Sequence, residues 1–211
     1  MKVLVACEFS ATVRDAFRAL GHDAWSCDLL PTEGDPRWHI EGDVLPVLRK
    51  RWDIVISHPP CTFLANSSAK HLYKDMKKEN GRNEDRWVKM EKAAIFYCDC
   101  LDANAEYVAA ENPIIHEHAR KAIEREWERR HPGTILPKVK YVQPWQFGHG
   151  ETKATGFRLI NLKPLVPTNI VEGREQKVHR RAPSPDRWKE RSRTYQGIAD
   201  AMAMQWGGYD L

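Results

Sequence analysis

The chain has 211 residues, 42% of them hydrophobic and 29% charged, which is a globular composition long enough to bury a core. Its net charge of +4 permits a polyanionic partner without requiring one. Five cysteines, at 7, 27, 61, 98 and 100, make no regular framework, which excludes a secreted disulfide scaffold. No apolar run approaches the roughly 20 residues that span a bilayer, and the one in MKVLVACEFS is too short for a signal peptide. The expected setting is the reduced cytoplasm.

In chain order, KVLVA (2–6) reads as a buried strand and CEFSA as the loop after it. TVRDAFRALG has helical spacing through Val13, Phe17 and Leu20, with Gly21 as a stop. HDAWSCD is a second strand ending at Asp28, and the Pro- and Gly-containing stretch 29–38 is a loop. IEGDV is a short third strand and its exit, VLPVLRKRW a short helix, and DIVIS the fourth strand. Residues 66–85 are polar and predict an exposed loop. RWVKMEKAAIFYCDCLD (86–102) is helical, AEYVAA is a strand, and HEHARKAIEREWERRH is a charged helix. KVKYV and GFRLINL are late strands around the loop QPWQFGHGETKAT. Residues 163–193 are rich in Pro and Arg, and the last helix puts Ile198, Met202 and Trp206 on one stripe.

Strands alternating with helices predict an α/β fold with a doubly wound, mostly parallel sheet. Ligands of such sheets sit at the C-terminal strand ends. CEFSA, Asp28, Gly42-Asp43, His58-Pro59-Pro60-Cys61 and Glu111-Asn112-Pro113 all come after strands, so they are expected on one edge. The first loop leads into a helix whose backbone N–H groups can cradle a ligand. It lacks G-x-G-x-x-G, which disfavours dinucleotides and leaves nucleoside ligands without a pyrophosphate. Asp28 suits ribose hydroxyls, or is a solvated strand end. Asp43 suits an adenine amine, or is a helix cap. Two prolines fix the corner before Cys61, which is either a nucleophile set in advance or a small apolar filler. Glu111 either bonds a ring nitrogen or is a solvated strand end. Cys98, Cys100, His116 and His118 alternate by two rather than at zinc spacing, so no metal is expected.

Taken together, these residues resemble the DNA (cytosine-5) methyltransferase family, most closely its small phage-encoded members. The resemblance runs through CEFSA, then Pro59-Pro60-Cys61, then Glu111-Asn112 about 50 residues later, and covers nearly the whole chain in the family's order. It implies a Rossmann-like fold using S-adenosylmethionine as cofactor and DNA as partner, in the host cytoplasm if phage-encoded. Residues 1–211 would form one domain. A short basic segment, 163–193, would stand in place of a target-recognition domain, and a C-terminal helix, 194–206, would return to the cofactor pocket. The implied catalytic residues are Cys61, Glu111 and Arg158. The implied cofactor contacts are Cys7, Glu8, Phe9, Ser10, Asp28, Asp43, Pro59 and Asp200. Nucleic acid would be held by Arg174, Arg180, Arg181, Lys189 and Arg193.

The sequence departs from the family at Ala11, where glycine is expected, at His58, where a small residue is usual, and at Thr62, where glutamine is usual. The arginine pattern before the late strand is reduced. Such a short recognition segment implies relaxed specificity, a protein partner that supplies it, or a smaller substrate. RNA or a cytosine nucleotide is therefore the alternative substrate, and a binding decoy on this fold the alternative class.

Overall fold

The computed structural model describes residues 1–176 and 187–208. Seven strands form one sheet: β1 (Lys2–Ala6), β2 (Asp23–Asp28), β3 (His39–Glu41), β4 (Trp52–Ser57), β5 (Ala105–Pro113), β6 (Lys140–Val142) and β7 (Thr155–Ile160). Their order is β3-β2-β1-β4-β5-β7-β6. The first five run parallel, and β7 inserts antiparallel between β5 and β6. The helices are α1 (Thr12–Ala19), α2 (Leu45–Leu48), α3 (Glu84–Leu101), α4 (Glu117–Arg130), α5 (Arg187–Ser192) and α6 (Gln196–Trp206). Among the described residues no helix is long and apolar enough to cross a membrane.

Central strands of a parallel sheet are covered on both faces, so they read as continuous apolar runs. Val3 to Ala6 and Ile54 to Ile56 are fully buried accordingly. Successive side chains then divide between two cores. Val3, Val5, Ile54, Ile56, Ala109 and Phe157 pack with α1 and α6, including Phe17, Ile198, Met202 and Trp206. Ala110 faces the other way, into the core of α3 and α4 with Tyr97, Leu101 and Ile123. Leu4, Ala6, Val55 and Val108 share that side of the sheet near α2.

Two elements differ from the sequence reading in ways that matter for the site. β5 does not stop at Ala110: β7 pairs Glu111 with Phe157, Asn112 with Gly156 and Pro113 with Thr155. The parallel neighbour β4 ends sooner, at Ser57 opposite Ala110. Glu111 is therefore held by strand pairing on one side and meets the exit of β4 on the other. The second difference is α5, too short to show a helical period, which lies just before α6. The stretch 66–80 also winds into three short 3-10 turns.

The start of α6 is seated tightly on the loop before β7. A Cβ at Gly197 would collide with the Phe147 carbonyl oxygen, a backbone atom with no room to retreat. Gly197→Ala is expected to cost about 2 kcal/mol or more, read as a lower midpoint in urea denaturation.

On α4, Arg129 and then Arg130 hold the Glu126 carboxyl down to about 2, against an ordinary 4.5. A carboxyl lowered on folding stabilises above its unfolded value and loses that contribution as pH falls. Glu126→Gln should therefore flatten the loss of stability between about pH 4.5 and 2. Urea midpoints across that range check it.

Candidate active site

The site begins where β4 gives way to Pro59 and Pro60. The His58 N–H still donates to Ala6 of β1 at 2.9 Å, so the corner leaves the sheet in a fixed direction. Asn112 of β5 donates from Nδ2 to the Pro59 carbonyl at 3.3 Å. Beyond the prolines, the Cys61 carbonyl accepts from Leu64 and Ala65 at 3.0 and 2.9 Å, closing a tight turn. Ala65 then bridges to Ile115, and Asn66 donates to Ile114 at 2.7 Å. The corner is thus tied to the sheet before it and to the exit of β5 after it. Cys61 sits exposed between these ties, and Pro59 is buried beneath.

Glu111 lies beside this corner on the neighbouring strand. Its Oε2 is 3.4 Å from His58 Nδ1, and the two side chains are 17% and 8% exposed, so the pair is largely withdrawn from water. The surrounding burial and the Glu111 carboxylate push the Cys61 thiol up, while Lys153 and Arg191 pull the other way. A small cleft is lined by Glu111, Lys153, Thr155, Phe157, Tyr195 and Ile198, among others. The strand ends, the loop before β7 and the approach to α6 all contribute to it.

Arg158 does not join them. It lies opposite Ala110, one residue beyond Phe157, and strand alternation sends it to the α3–α4 face. There it is buried, donates to the Pro137 carbonyl and sits beside Tyr97. The cation at the cleft is Lys153, five residues earlier in the loop, which no motif in the sequence marks.

The other expected positions divide by placement. Cys7 leaves β1 with a φ of +59°, and the N–H groups of Cys7 and Glu8 donate to Cys27 of β2 at 2.7 and 3.3 Å. Glu8 is buried and turned inward: its carboxylate accepts from Val13 at 2.7 Å and Arg14 at 3.2 Å, filling the N-terminus of α1. Burial raises its pKa, with His58 opposing. Glu8 thus caps the helix rather than leaving those N–H groups to a ligand. This cap works from five residues away because Ala11 takes a left-handed φ of +62°.

Ser10 donates to Glu8 at 3.3 Å, and Phe9 is buried with its ring 6.2 Å from that of Trp188. Asp28, half-buried at the end of β2, accepts from the Leu30 N–H at 2.9 Å. Asp43 is exposed past β3 and accepts from the Leu45 N–H at 3.0 Å, as the helix-cap reading has it. Asp200 does not face the strand ends; it is exposed on α6 and accepts from Gln196 at 2.7 Å. Of the basic positions, Arg174 lies over the Trp145 ring at 3.9 Å and Arg193 pairs with Glu33 at 2.6 Å. Lys189 is half-buried beside Trp188. Arg180 and Arg181 lie outside the described residues.

The fold has a counterpart among solved structures. A DNA modification methyltransferase encoded within an E. coli prophage is similar over 86% of this chain and 55% of its own, at 12% identity and a TM-score of 0.51. The chain has a Rossmann-like methyltransferase fold. It spans little more than half the length of that structure. Weaker likenesses, each with a TM-score of 0.39, link it to the S. pombe Dnmt2 methyltransferase and to a Spodoptera frugiperda DNMT2 mutant. The first is 14% identical over 84% of this chain and 52% of the other, and the second 16% identical over 86% and 55%. No protein-family model matches the chain, and no curated protein matches it.

The residue set at these strand ends has the chemistry to hold a nucleoside sulfonium such as S-adenosylmethionine. The anion position at the start of α1 is already filled by Glu8, which disfavours a phosphate-bearing ligand. What the ends of β2 and β3 offer instead are carboxylate acceptors, Asp28 and Asp43. Carboxylates accept from ribose hydroxyls and amines, the groups a nucleoside sulfonium presents.

Proposed function

We propose that this chain transfers a methyl group from S-adenosylmethionine to C5 of cytosine in DNA, through a covalent adduct between Cys61 Sγ and cytosine C6. The observation that carries the reading is that Glu111, near the end of the adjacent strand, reaches His58 on the same proline-fixed corner that presents Cys61. A thiolate is the side chain best suited to attack an electron-poor ring carbon. A carboxyl group beside it serves the ring nitrogen.

The steps are dictated by those groups. The Cys61 thiol gives up its proton, which passes through the Glu111 carboxylate to N3, and Sγ bonds to C6 as the C5–C6 double bond opens. The ring electrons then collect on C5, which becomes nucleophilic. When bound, S-adenosylmethionine supplies the electrophilic methyl group for C5. Loss of the C5 proton to a base lets the C6–S bond break, and N3 returns its proton to Glu111. Cys7, Phe9, Asp28 and Asp43 hold the cofactor. Duplex DNA must release the target base from its stack to reach this edge. Arg174, Lys189 and Arg193, with Arg180 and Arg181, contact its phosphates. The short segment 163–193 replaces a recognition domain, and a protein partner supplies further specificity.

Labelled methyl donor with plasmid DNA, total RNA and cytosine nucleotides as parallel acceptors tests the reading. Label recovered as 5-methylcytosine from DNA supports it. Label found in RNA or nucleotide alone moves the substrate. Label in none of them, with cofactor bound, leaves a binding protein on this fold.

A further inference from the structure

The loop between β6 and β7 is closed on itself. Gln143 takes a hydrogen bond at its side-chain Oε1 from the Lys153 N–H at 3.1 Å, and its own N–H donates to Gln146 at 2.7 Å. That closure delivers the Lys153 side chain to the cleft that Glu111 lines. Lys153 Nζ then donates to the carbonyls of Arg191 at 2.7 Å and Arg193 at 3.2 Å. Those carbonyls belong to the end of α5 and to the first residue after it. The strap formed by α5 and Arg193 also touches the chain beyond β1 and β2 twice, through Trp188 on Phe9 and Arg193 on Glu33.

An ammonium group has three protons to donate. Two of them go to neutral carbonyls, which orient the group without cancelling its charge. Burial pushes the Lys153 pKa down, while Glu111 on β5 and Cys61 on the corner hold the ammonium charged and Arg191 on α5 opposes it. Cys61 in turn feels Glu111 as an opposing influence and Lys153 and Arg191 as favourable ones. With Arg158 on the other face of the sheet, Lys153 is the cation that the β6–β7 loop itself brings to this thiol.

We propose that Lys153 is a positioning residue of this site, whose ammonium pins the 191–193 backbone over the cleft and supplies the positive charge that favours the Cys61 thiolate. The inference deepens the reading above and rests on Cys61 being the reactive sulfur. It explains how a cysteine near the Glu111 carboxylate, which opposes its ionisation, is kept nucleophilic. It also joins the thiol to the cofactor loop through one short segment, since the strap that Lys153 holds is the strap that covers Phe9.

Iodoacetamide alkylation of the full chain tests it without methyl donor or nucleic acid. Cys27, Cys98 and Cys100 are buried and Cys7 half-buried, so peptide mass mapping reads Cys61 separately. In Lys153→Met, alkylation of Cys61 near neutral pH is expected to fall about three- to ten-fold, and its pH profile to move upward. Lys153→Arg, which keeps the charge, is expected to restore most of the rate. Unchanged alkylation in Lys153→Met overturns the proposal. So does a fall that Lys153→Arg leaves uncorrected, because that marks a packing role and not a charge. If no acceptor takes a methyl group from the wild-type chain while these alkylation results hold, the assigned reaction fails and the role of Lys153 stands.

Discussion

On the proposed mechanism, Cys61→Ser is expected to abolish methyl transfer while leaving the fold and cofactor binding intact. The thiol sits exposed on a turn tied by backbone atoms and by the Asn112 and His116 side chains, so exchanging sulfur for oxygen leaves those ties in place. A serine hydroxyl at that position is a far weaker nucleophile, since almost none of it is ionised near neutral pH. The expected loss is at least about a thousand-fold in turnover. Thermal melting should be within about 0.5 kcal/mol of the parent, as for other exposed substitutions. Retained transfer by this variant would remove Cys61 from the chemistry.

Glu111→Gln separates two effects that a simple loss of activity would merge. The amide keeps the shape of the side chain and a hydrogen-bonding oxygen, but it has no acidic proton to give N3. Methyl transfer is expected to fall about a hundred- to a thousand-fold. The Glu111 carboxylate also raises the Cys61 thiol, so removing its charge should ease ionisation of the sulfur. Alkylation of Cys61 should therefore become faster in the variant that turns over more slowly. A parallel loss of both would place Glu111 in the architecture of the corner and not in proton transfer.

The corner is the most legible part of the molecule. An apolar run ending in His58-Pro59-Pro60-Cys61 states both the end of a buried strand and the rigidity of the chain beyond it. The five leading strands, the α1 stripe and the buried face of α6 are legible for the same reason, because burial imposes a period on the sequence. The pairing of Glu111 with the corner needs one further fact, that β5 lies next to β4, which a doubly wound sheet supplies.

Arg158 and Lys153 show where that legibility ends. Which face a strand residue takes depends on register, and the register of β7 is set by an antiparallel pairing with β5 that no local pattern states. A one-residue difference decides whether an arginine meets the cleft or the opposite core. Lys153 lies in irregular chain whose path is fixed by Gln143, ten residues away, so no period could point to it. Glu8 escapes a sequence reading for a related reason. Its carboxylate serves α1 from outside the usual capping position, which the left-handed turn at Ala11 makes possible. Asp200 has helical spacing to guide it, yet the buried stripe of α6 turns it to solvent.

A covalent bond between Cys61 and the target base is the central requirement of this mechanism. A duplex carrying 5-fluorocytosine, incubated with the chain and S-adenosylmethionine, measures it directly, because fluorine at C5 blocks the final elimination. Denaturing electrophoresis and peptide mass spectrometry are expected to show one strand fixed to the chain through Cys61, with a methyl group added at C5. An adduct through another residue, or methylated DNA formed with no adduct at all, would contradict it.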